Sequence, residues 1–252
     1  MTVELREWKQ APGRGPLVLA HRGARLIAHE NTLPAFEAAL AEGADGVEFD
    51  VRLSADDRVV VFHDPTLSRC TAARDQRAVS SLRYGELLRV DFAGRHIPPL
   101  STVLSWAASA ECFVNIELKP DVPRRFTLTR LVLDEVLANP RLLGKTLLST
   151  FDPAMVRALT RRRPPVPVGW LLGSVGPRVE RHNAWRRLGA QAVHPEWPLA
   201  TEPRLREWIN DGALVAVWTV NSPSEARRLA EANVDVLITD DVRAIRQAVS
   251  RS

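Results

Sequence analysis

Residues 46–52 read Gly-Val-Glu-Phe-Asp-Val-Arg, and their side chains alternate between acidic and apolar. Successive side chains of a strand point to opposite faces, so Glu48 and Asp50 share one face while three apolar side chains take the other. Residues 113–119, Phe-Val-Asn-Ile-Glu-Leu-Lys, repeat the pattern and add a third carboxylate, Glu117, beside a lysine. Acids on an inward strand face are costly unless a cation or a proton joins them. Both stretches therefore predict strands that line a polar site.

Short β-rich runs alternate with amphipathic stretches along the rest of the chain. Eight β-rich runs are visible, at 17–21, 46–52 (with 59–63 close behind), 113–119, 145–150, 166–172, 191–195, 214–220 and 234–239. Apolar residues recur at intervals of three and four in helical stretches at 32–42, 101–109, 126–137, 153–162, 203–211, 222–232 and 242–249. Eight such units, with no Gly-x-Gly-x-x-Gly after the first strand, favour a closed α/β fold, the (β/α)₈ TIM barrel, over a doubly wound open sheet.

Segment 64–99 breaks this alternation, because it is irregular and carries only one short helical pattern, at 82–89. We predict a small insertion over the C-terminal face of the barrel, where loops meet the distal part of a ligand. Its apolar residues are spaced as in a small packed core: Leu67, Leu82, Leu87, Leu88 and Phe92. No internal repeat or linker is visible, so residues 1–252 are predicted to form a single domain.

Composition excludes several function classes. The chain has 252 residues, and 34 basic against 30 acidic residues give a formal net charge of +4. The basic runs are short, and the densest, 161–163, ends a helical pattern where it suits the helix dipole, so we predict no nucleic-acid partner. Cys70 and Cys112 lack a Cys-x-x-Cys spacing, which favours a reducing compartment. No stretch approaches the ~18 apolar residues of a membrane span, and residues 1–15 lack the apolar core of a secretory signal. We therefore predict a cytoplasmic location.

The three acids suggest a metal site. Carboxylate oxygens without Cys or a His-x-His pair suit a hard cation, Ca²⁺ or Mg²⁺, rather than Zn²⁺, so Glu48, Asp50 and Glu117 are candidate ligands. The alternative is a buried salt-bridge network with three counterions: Arg22, Arg52 and Lys119. The position of all three acids at the predicted catalytic end of the barrel favours the metal.

Two histidines follow apolar strands. His21-Arg22-Gly23 ends the first strand, and His63 follows the run at 59–62. A metal with two imidazoles suits phosphodiester cleavage, because one imidazole can remove a proton from the nucleophile while the other protonates the leaving alkoxide. Arg22 and Lys119 can neutralise the charge that develops on the phosphate.

The order and spacing of the motifs resemble those of the glycerophosphodiester phosphodiesterases, within the phospholipase C-like phosphodiesterases. The resemblance covers about residues 17–245. The motifs that carry it are HRG at 21–23, ENT at 30–32, VEFDVRLSADDRVVVFHDPTLSRCT at 47–71, IPPLSTVL at 97–104, NIELKP at 115–120, LSTFDP at 148–153, VWTVN at 217–221 and DVLITDD at 235–241. It implies a (β/α)₈ barrel that uses a divalent metal to hydrolyse deacylated phospholipids to glycerol 3-phosphate and an alcohol.

Position by position, the resemblance implies a role for each candidate. It makes His21 and His63 the acid/base pair, and it places Arg22 and Lys119 beside the phosphate. Trp218 would line the pocket wall, or else be a packed barrel residue. The metal ligands would be Glu48, Asp50 and Glu117. The first nucleophile stays open between water and the adjacent glycerol hydroxyl, which would give a cyclic intermediate.

The chain departs from the family pattern at two positions. His29 stands where the family usually has Pro, and we expect it outside the reacting groups, with Glu30 and Asn31 still bracing the site. Cys70 replaces a common Thr, and we interpret it as a small filler rather than a nucleophile. His194 and Trp197 are either contacts for the head group or packing residues.

Two alternative functions remain. The same chemistry could act on lysophospholipids or phosphoinositides, as a lysophospholipase D-type or phosphoinositide-type phosphodiesterase, which requires exposed apolar surface at the barrel mouth. A catalytically silent barrel that binds head groups should have lost one acid or one histidine, whereas all five are present. The oligomeric state stays open.

Overall fold

Eight parallel strands form a closed barrel in the computed structural model, which describes residues 5–9, 15–90, 96–174 and 184–250. The parallel strands are β1 (Leu17–His21), β2 (Gly46–Leu53), β4 (Phe113–Leu118), β5 (Thr146–Thr150), β6 (Val168–Leu172), β7 (Ala192–Pro195), β8 (Leu214–Val217) and β9 (Val236–Thr239). β1 pairs with β2 on one side and with β9 on the other, which closes the sheet. The predicted (β/α)₈ TIM barrel is thus confirmed.

The short strand β3 (Val59–Val61) does not belong to the barrel wall. It pairs antiparallel with the end of β2, from Val51 to Leu53. This hairpin extends β2 beyond the barrel edge and carries the chain back towards its mouth. His63 therefore follows β3 at the same end of the barrel as the residues that follow β1.

Helices surround the barrel within the described residues. They are α1 (Leu33–Ala41), α2 (Tyr84–Leu87), α3 (Leu100–Ala110), α4 (Arg125–Leu137), α5 (Pro153–Arg161), α6 (Ala184–Leu188), α7 (Glu202–Asn210), α8 (Pro223–Glu231) and α9 (Val242–Val249), with short 3₁₀ segments at Val79–Ser81, Pro140–Lys145 and Trp197–Leu199. Side-chain caps begin several helices: Thr32, Asp152 and Asp241 each accept a backbone N–H of the first turn. The sequence pattern missed α6, because five residues are too few to show a helical period.

Two apolar layers and a polar layer follow from the period of the strands. Outward-facing residues such as Val47, Phe49 and Val51 pack under the helices. Inward-facing residues, including Leu17, Leu19 and Phe113, fill the lower barrel, where Trp8 packs edge-on against Phe113. The inward acids of β2 and β4 lie at the other end of the barrel. The polar site therefore lies directly above this packed apolar layer.

The insertion has its own small core, in the part of 64–99 that the structure describes. Leu67, Leu82 and Leu87 are buried with Val60 and Phe62, as predicted, whereas Leu88 is 38% exposed. Phe92 lies outside the described residues. The insertion packs beside the loop that follows β2, since the Leu82 carbonyl oxygen accepts a hydrogen bond from the Ala55 N–H.

No helix in the described part of the chain combines the length and the apolar character that crossing a bilayer requires.

Candidate active site

Three carboxylates meet at the C-terminal end of the barrel. Asp50 on β2 is in register with Glu117 on β4, and Glu48 lies one inward position earlier. All three side chains are buried, and one oxygen from each lies within 4.8 Å of the others. The period of two predicted this face correctly.

Lys119 and Arg22 compensate part of this negative charge. The Lys119 Nζ lies 2.7 Å from Asp50 Oδ1 and 2.5 Å from Glu117 Oε1. Arg22 Nε lies 3.2 Å from Asp50 Oδ2 on the other side. Burial alone would raise the pKa of Asp50, but the charges of Lys119 and Arg22 outweigh it and hold that pKa below its usual range.

Glu48 is the carboxylate whose charge these two cations compensate least. Its Oε1 is buried and has no hydrogen-bond partner among the described residues. Burial, followed by the charges of Asp50 and Glu117, raises the pKa of Glu48 well above its usual range. Three carboxylates face only two cations here, so the donor set fits a hard divalent cation that would neutralise Glu48.

The turn after β1 shapes the phosphate side of the site. Arg22 has a left-handed backbone, with φ of 60°, which turns the chain back over β2. Its N–H donates to the Glu48 carbonyl oxygen at 2.8 Å. The Asn31 side chain donates to Asp50 Oδ2 at 2.9 Å, and Glu30 Oε1 accepts from Arg22 Nη1 at 3.1 Å. Glu30 and Asn31 thus brace the site, as the sequence predicts.

Each histidine is held by an aspartate. His21 Nδ1 lies 2.8 Å from Asp240 Oδ1, and His63 Nδ1 lies 2.7 Å from Asp64 Oδ1. Burial would raise the pKa of Asp240, but the hydrogen bonds from His21 and Asn221, with the charges of His21 and Arg25, together outweigh it and lower that pKa to about 2. An ionised aspartate only accepts, so each Nδ1 carries its proton and each Nε2 is left for chemistry. The His21 Nε2 lies 4.0 Å from Glu48 Oε2, which shows that it faces the acids.

Arg52 does not join the carboxylate cluster as a counterion. Its Nη2 lies 2.9 Å from Asp121 Oδ1, and its Nε donates to the His63 carbonyl oxygen at 2.7 Å. The salt-bridge alternative therefore loses one of its three cations. Arg52 holds the segment that carries His63 instead.

The remaining candidates occupy different depths. Trp218 is half-buried above the barrel floor, stacks edge-on against Phe151 and donates from Nε1 to the His194 carbonyl oxygen at 2.8 Å. His194 is fully buried inside the barrel and does not reach the rim, whereas Trp197 is exposed. Burial raises the pKa of the Cys70 thiol to about 11, which agrees with a filler rather than a nucleophile.

Sequence reasoning missed the partners of the histidines. Asp64 directly follows His63, and Asp240 directly follows β9, so both stand at the strand ends where reactive residues of barrels lie. The position was visible, but the pairing of Asp240 with His21 depends on the closure of the barrel. Arg69 of the insertion, which contacts Asp64, was also missed.

Known proteins resemble this chain over almost its whole length. A family model described as the glycerophosphoryl diester phosphodiesterase family matches residues 21–244. The Bacillus subtilis (strain 168) protein named "Uncharacterized protein YqiK" is 34% identical, covering 88% of this chain and 94% of that protein. A glycerophosphodiester phosphodiesterase of Caldanaerobacter subterraneus subsp. tengcongensis is 29% identical, covering 93% of this chain and 98% of its own.

A solved structure agrees with the fold. The crystal structure of a Silicibacter pomeroyi protein assigned to the same enzyme family superposes with a TM-score of 0.86 at 27% identity, covering 99% of this chain and 97% of that one. The chain belongs to the glycerophosphoryl diester phosphodiesterase family. The resemblance found in the sequence motifs is confirmed.

Proposed function

We propose that this protein is a metal-dependent phosphodiesterase that hydrolyses glycerophosphodiesters to glycerol 3-phosphate and an alcohol. The observation that carries the proposal is the grouping of three buried carboxylates with two aspartate-held histidines at the barrel mouth. The family match and the relatives named for this activity support it.

Arg22 and Lys119 are the residues we assign to the phosphate. Both are cations fixed against Asp50, so their charges stay in place when a substrate enters. A pentavalent transition state carries more negative charge than the diester, and fixed cations stabilise it without reorganising. Trp218, at the top of the barrel interior, is assigned to the pocket wall beside the glycerol or the alcohol group.

Glu48, Asp50 and Glu117 are the residues we assign to a divalent cation, Ca²⁺ or Mg²⁺. When bound, such an ion supplies Lewis-acid stabilisation of the phosphate charge. The acids alone do not separate the two ions, because both take carboxylate oxygens. The experiment below therefore compares the activity that each ion restores.

His21 and His63 are the residues we assign to proton transfer. One Nε2 accepts the proton of the attacking hydroxyl or water, and the other donates a proton to the departing alkoxide as the P–O bond breaks. Asp240 and Asp64 fix the tautomer and aim of each ring. Burial is the largest influence on His63 and lowers its pKa, which favours a neutral ring that can accept a proton.

The wider assignments follow from the same residues. We assign residues 1–252 to one barrel domain acting on a small water-soluble substrate, with no nucleic-acid partner. Both cysteines are free thiols, which supports a reducing, cytoplasmic setting.

A lysophospholipid substrate is the second candidate, and one observation favours it. Leu26 and Ile27, in the loop after β1 that also carries Arg22, are 71% and 62% exposed. Adjacent exposed aliphatic side chains at the mouth would suit an acyl chain. In the described part of the insertion, the small core is buried and Leu88 is 38% exposed, so less aliphatic surface is available there.

The deciding experiment follows glycerol 3-phosphate release from glycerophosphocholine and glycerophosphoethanolamine, first with EDTA and then with added Ca²⁺, Mg²⁺ or Mn²⁺. Metal-restored release is expected, and detection of a cyclic phosphate would identify the glycerol hydroxyl as first nucleophile. The His21→Ala/His63→Ala protein, purified in parallel, measures contaminating activity. Lysophosphatidic acid and choline formed from lysophosphatidylcholine, with no product from the glycerophosphodiesters, would favour the second candidate. No product from any of these substrates by folded protein would favour a silent head-group-binding barrel.

A further inference from the structure

Arg69 of the insertion contacts two parts of the site at once. Its Nε lies 2.5 Å from Asp64 Oδ2, and its Nη2 lies 2.5 Å from Glu30 Oε1. These are two nitrogens of one planar guanidinium, so a single side chain ties together two acids that are 34 residues apart in the sequence.

The first of these contacts leads to His63. Asp64 accepts from Arg69 through Oδ2 and meets His63 Nδ1 through Oδ1 at 2.7 Å. Both oxygens of the carboxylate are therefore used, which fixes its plane. A fixed carboxylate plane fixes the direction of the His63 ring as well.

The second contact leads to Arg22. Glu30 Oε1 is shared by Arg69 and by Arg22 Nη1, which lies 3.1 Å away, while Glu30 Oε2 lies 3.3 Å from Arg25. Glu30 faces three arginines, and only Arg69 comes from the insertion. Its contact holds the insertion against the turn after β1.

The backbone beneath Arg69 is braced. Leu67 is fully buried, and its carbonyl oxygen accepts from both the backbone N–H and the side-chain hydroxyl of Thr71. The Leu67 N–H donates to the Arg77 carbonyl oxygen at 3.0 Å. Because this turn is hydrogen-bonded at both of its ends, it holds the backbone of Arg69 in one position.

We propose that Arg69 is a positioning residue for the reaction, which aligns His63 through Asp64 and Arg22 through Glu30. The inference rests on the proposed function and extends it to the insertion. Lysine is not equivalent here, because all its donors sit on one nitrogen, whereas the guanidinium reaches the two carboxylates from two separate nitrogens held in one plane.

The test compares the insertion's two paired arginines. Arg77 pairs with Asp75 through three side-chain hydrogen bonds, and its side chain is 55% exposed, against 52% for Arg69, but this ion pair lies apart from the acids and histidines of the site. The variants Arg69→Gln, Arg69→Lys and Arg77→Gln are assayed for kcat and KM on the best substrate of the wild-type protein, with melting temperatures measured in parallel.

We expect Arg69→Gln to lower kcat and raise KM, with kcat/KM falling about 10- to 100-fold, because both the proton carrier and the phosphate contact lose alignment. Arg69→Lys should recover only part of the loss in kcat/KM, since one ammonium nitrogen cannot reproduce the spacing of the two guanidinium nitrogens. Arg77→Gln should stay within about twofold of wild type, as expected for an exposed ion pair.

A double variant separates positioning from a general structural role. If Arg69 acts on His63 through Asp64, then adding Arg69→Gln to Asp64→Asn should reduce kcat by much less than it does alone. Fully additive losses, or an Arg69→Gln enzyme with wild-type kcat and KM, would overturn the inference. An inactive wild-type protein would instead overturn the proposed function, so the two failures are distinguishable.

Discussion

His21 and His63 are each restrained at Nδ1, so substitutions at these two residues test the chemistry at the smallest scale. Each ring has its Nδ1 committed to an aspartate, and the Nε2 of His21 faces the carboxylate cluster. The arrangement sets the aim of the rings before a substrate arrives.

The first prediction concerns these imidazoles. His21→Ala and His63→Ala should each lower kcat by roughly 10²-fold or more, because general acid–base catalysis contributes at least that much. His96→Ala, which changes an exposed histidine of the described chain, is the matched control and should leave kcat unchanged. Circular dichroism checks the fold, and near-wild-type turnover in either alanine variant would remove it from the acid/base pair.

A second prediction at this scale concerns Glu48, the acid without a hydrogen bond at Oε1. Glu48→Gln removes one of three crowded negative charges, so the metal-free protein should melt no lower than wild type. The rise in melting temperature that Ca²⁺ or Mg²⁺ gives the wild type should disappear. Glu231→Gln, an exposed position at the end of α8, should keep the wild-type response to metal. A full metal response in Glu48→Gln would place the ligands elsewhere.

Among the elements, β6 and β7 show how one strand makes room for another. A Cβ placed on Gly169 of β6 would lie 2.5 Å from the Nε2 of His194, which is carried by β7. The ring is fully buried and cannot swing into solvent. Glycine at 169 is therefore required by a side chain of the neighbouring strand, two residues beyond its register partner Ala192.

Gly169→Ala should accordingly destabilise the fold by about 1–3 kcal/mol, the usual range for overpacking a core. Gly85→Ala is the control, because a Cβ there meets nothing within 4 Å and the residue lies in the short helix α2. Adding His194→Ala to Gly169→Ala should recover part of the lost stability, since the clash is removed. Urea denaturation measures all three, and a neutral Gly169→Ala would show that the ring shifts freely.

The sequence predicted the elements that repeat a local pattern and missed those that depend on distant contacts. Glu48, Asp50 and Glu117 came from the period of two, which each strand carries by itself. The contact between Asp240 and His21 could not be predicted in this way, because β1 and β9 become neighbours only when the barrel closes. The salt-bridge alternative placed Arg52 among the acids, but its position beyond the carboxylate cluster lets it reach Asp121 instead.

For the whole molecule, His194 makes the barrel interior sensitive to acid. Burial lowers the pKa of His194 from its ordinary value of 6.5 to about 3. The unfolded chain therefore takes up a proton at this residue below about pH 6.5, whereas the folded protein does so only near pH 3. The unfolded state binds more protons in this window, so stability is full above it and falls as the pH drops through it.

His194→Gln should flatten this dependence. The difference in unfolding free energy between wild type and variant should change by up to about 1.4 kcal/mol per pH unit between pH 6.5 and pH 4. Taking the difference cancels the carboxylates, which titrate in both proteins. His96→Gln serves as the exposed control, and urea melts at several pH values give the comparison. Parallel curves for wild type and His194→Gln would contradict the assignment.

The seam between β1 and β9 gives catalysis a place in the order of folding. His21 ends the first strand of the barrel, and Asp240, which orients it, follows the last. During synthesis, His21 therefore has no partner to orient its ring until residue 240 has been made and β9 has paired with β1. In a refolding experiment, turnover should return when β1 and β9 pair, after helix content has already been regained. The recovery of activity therefore reports the completion of the barrel.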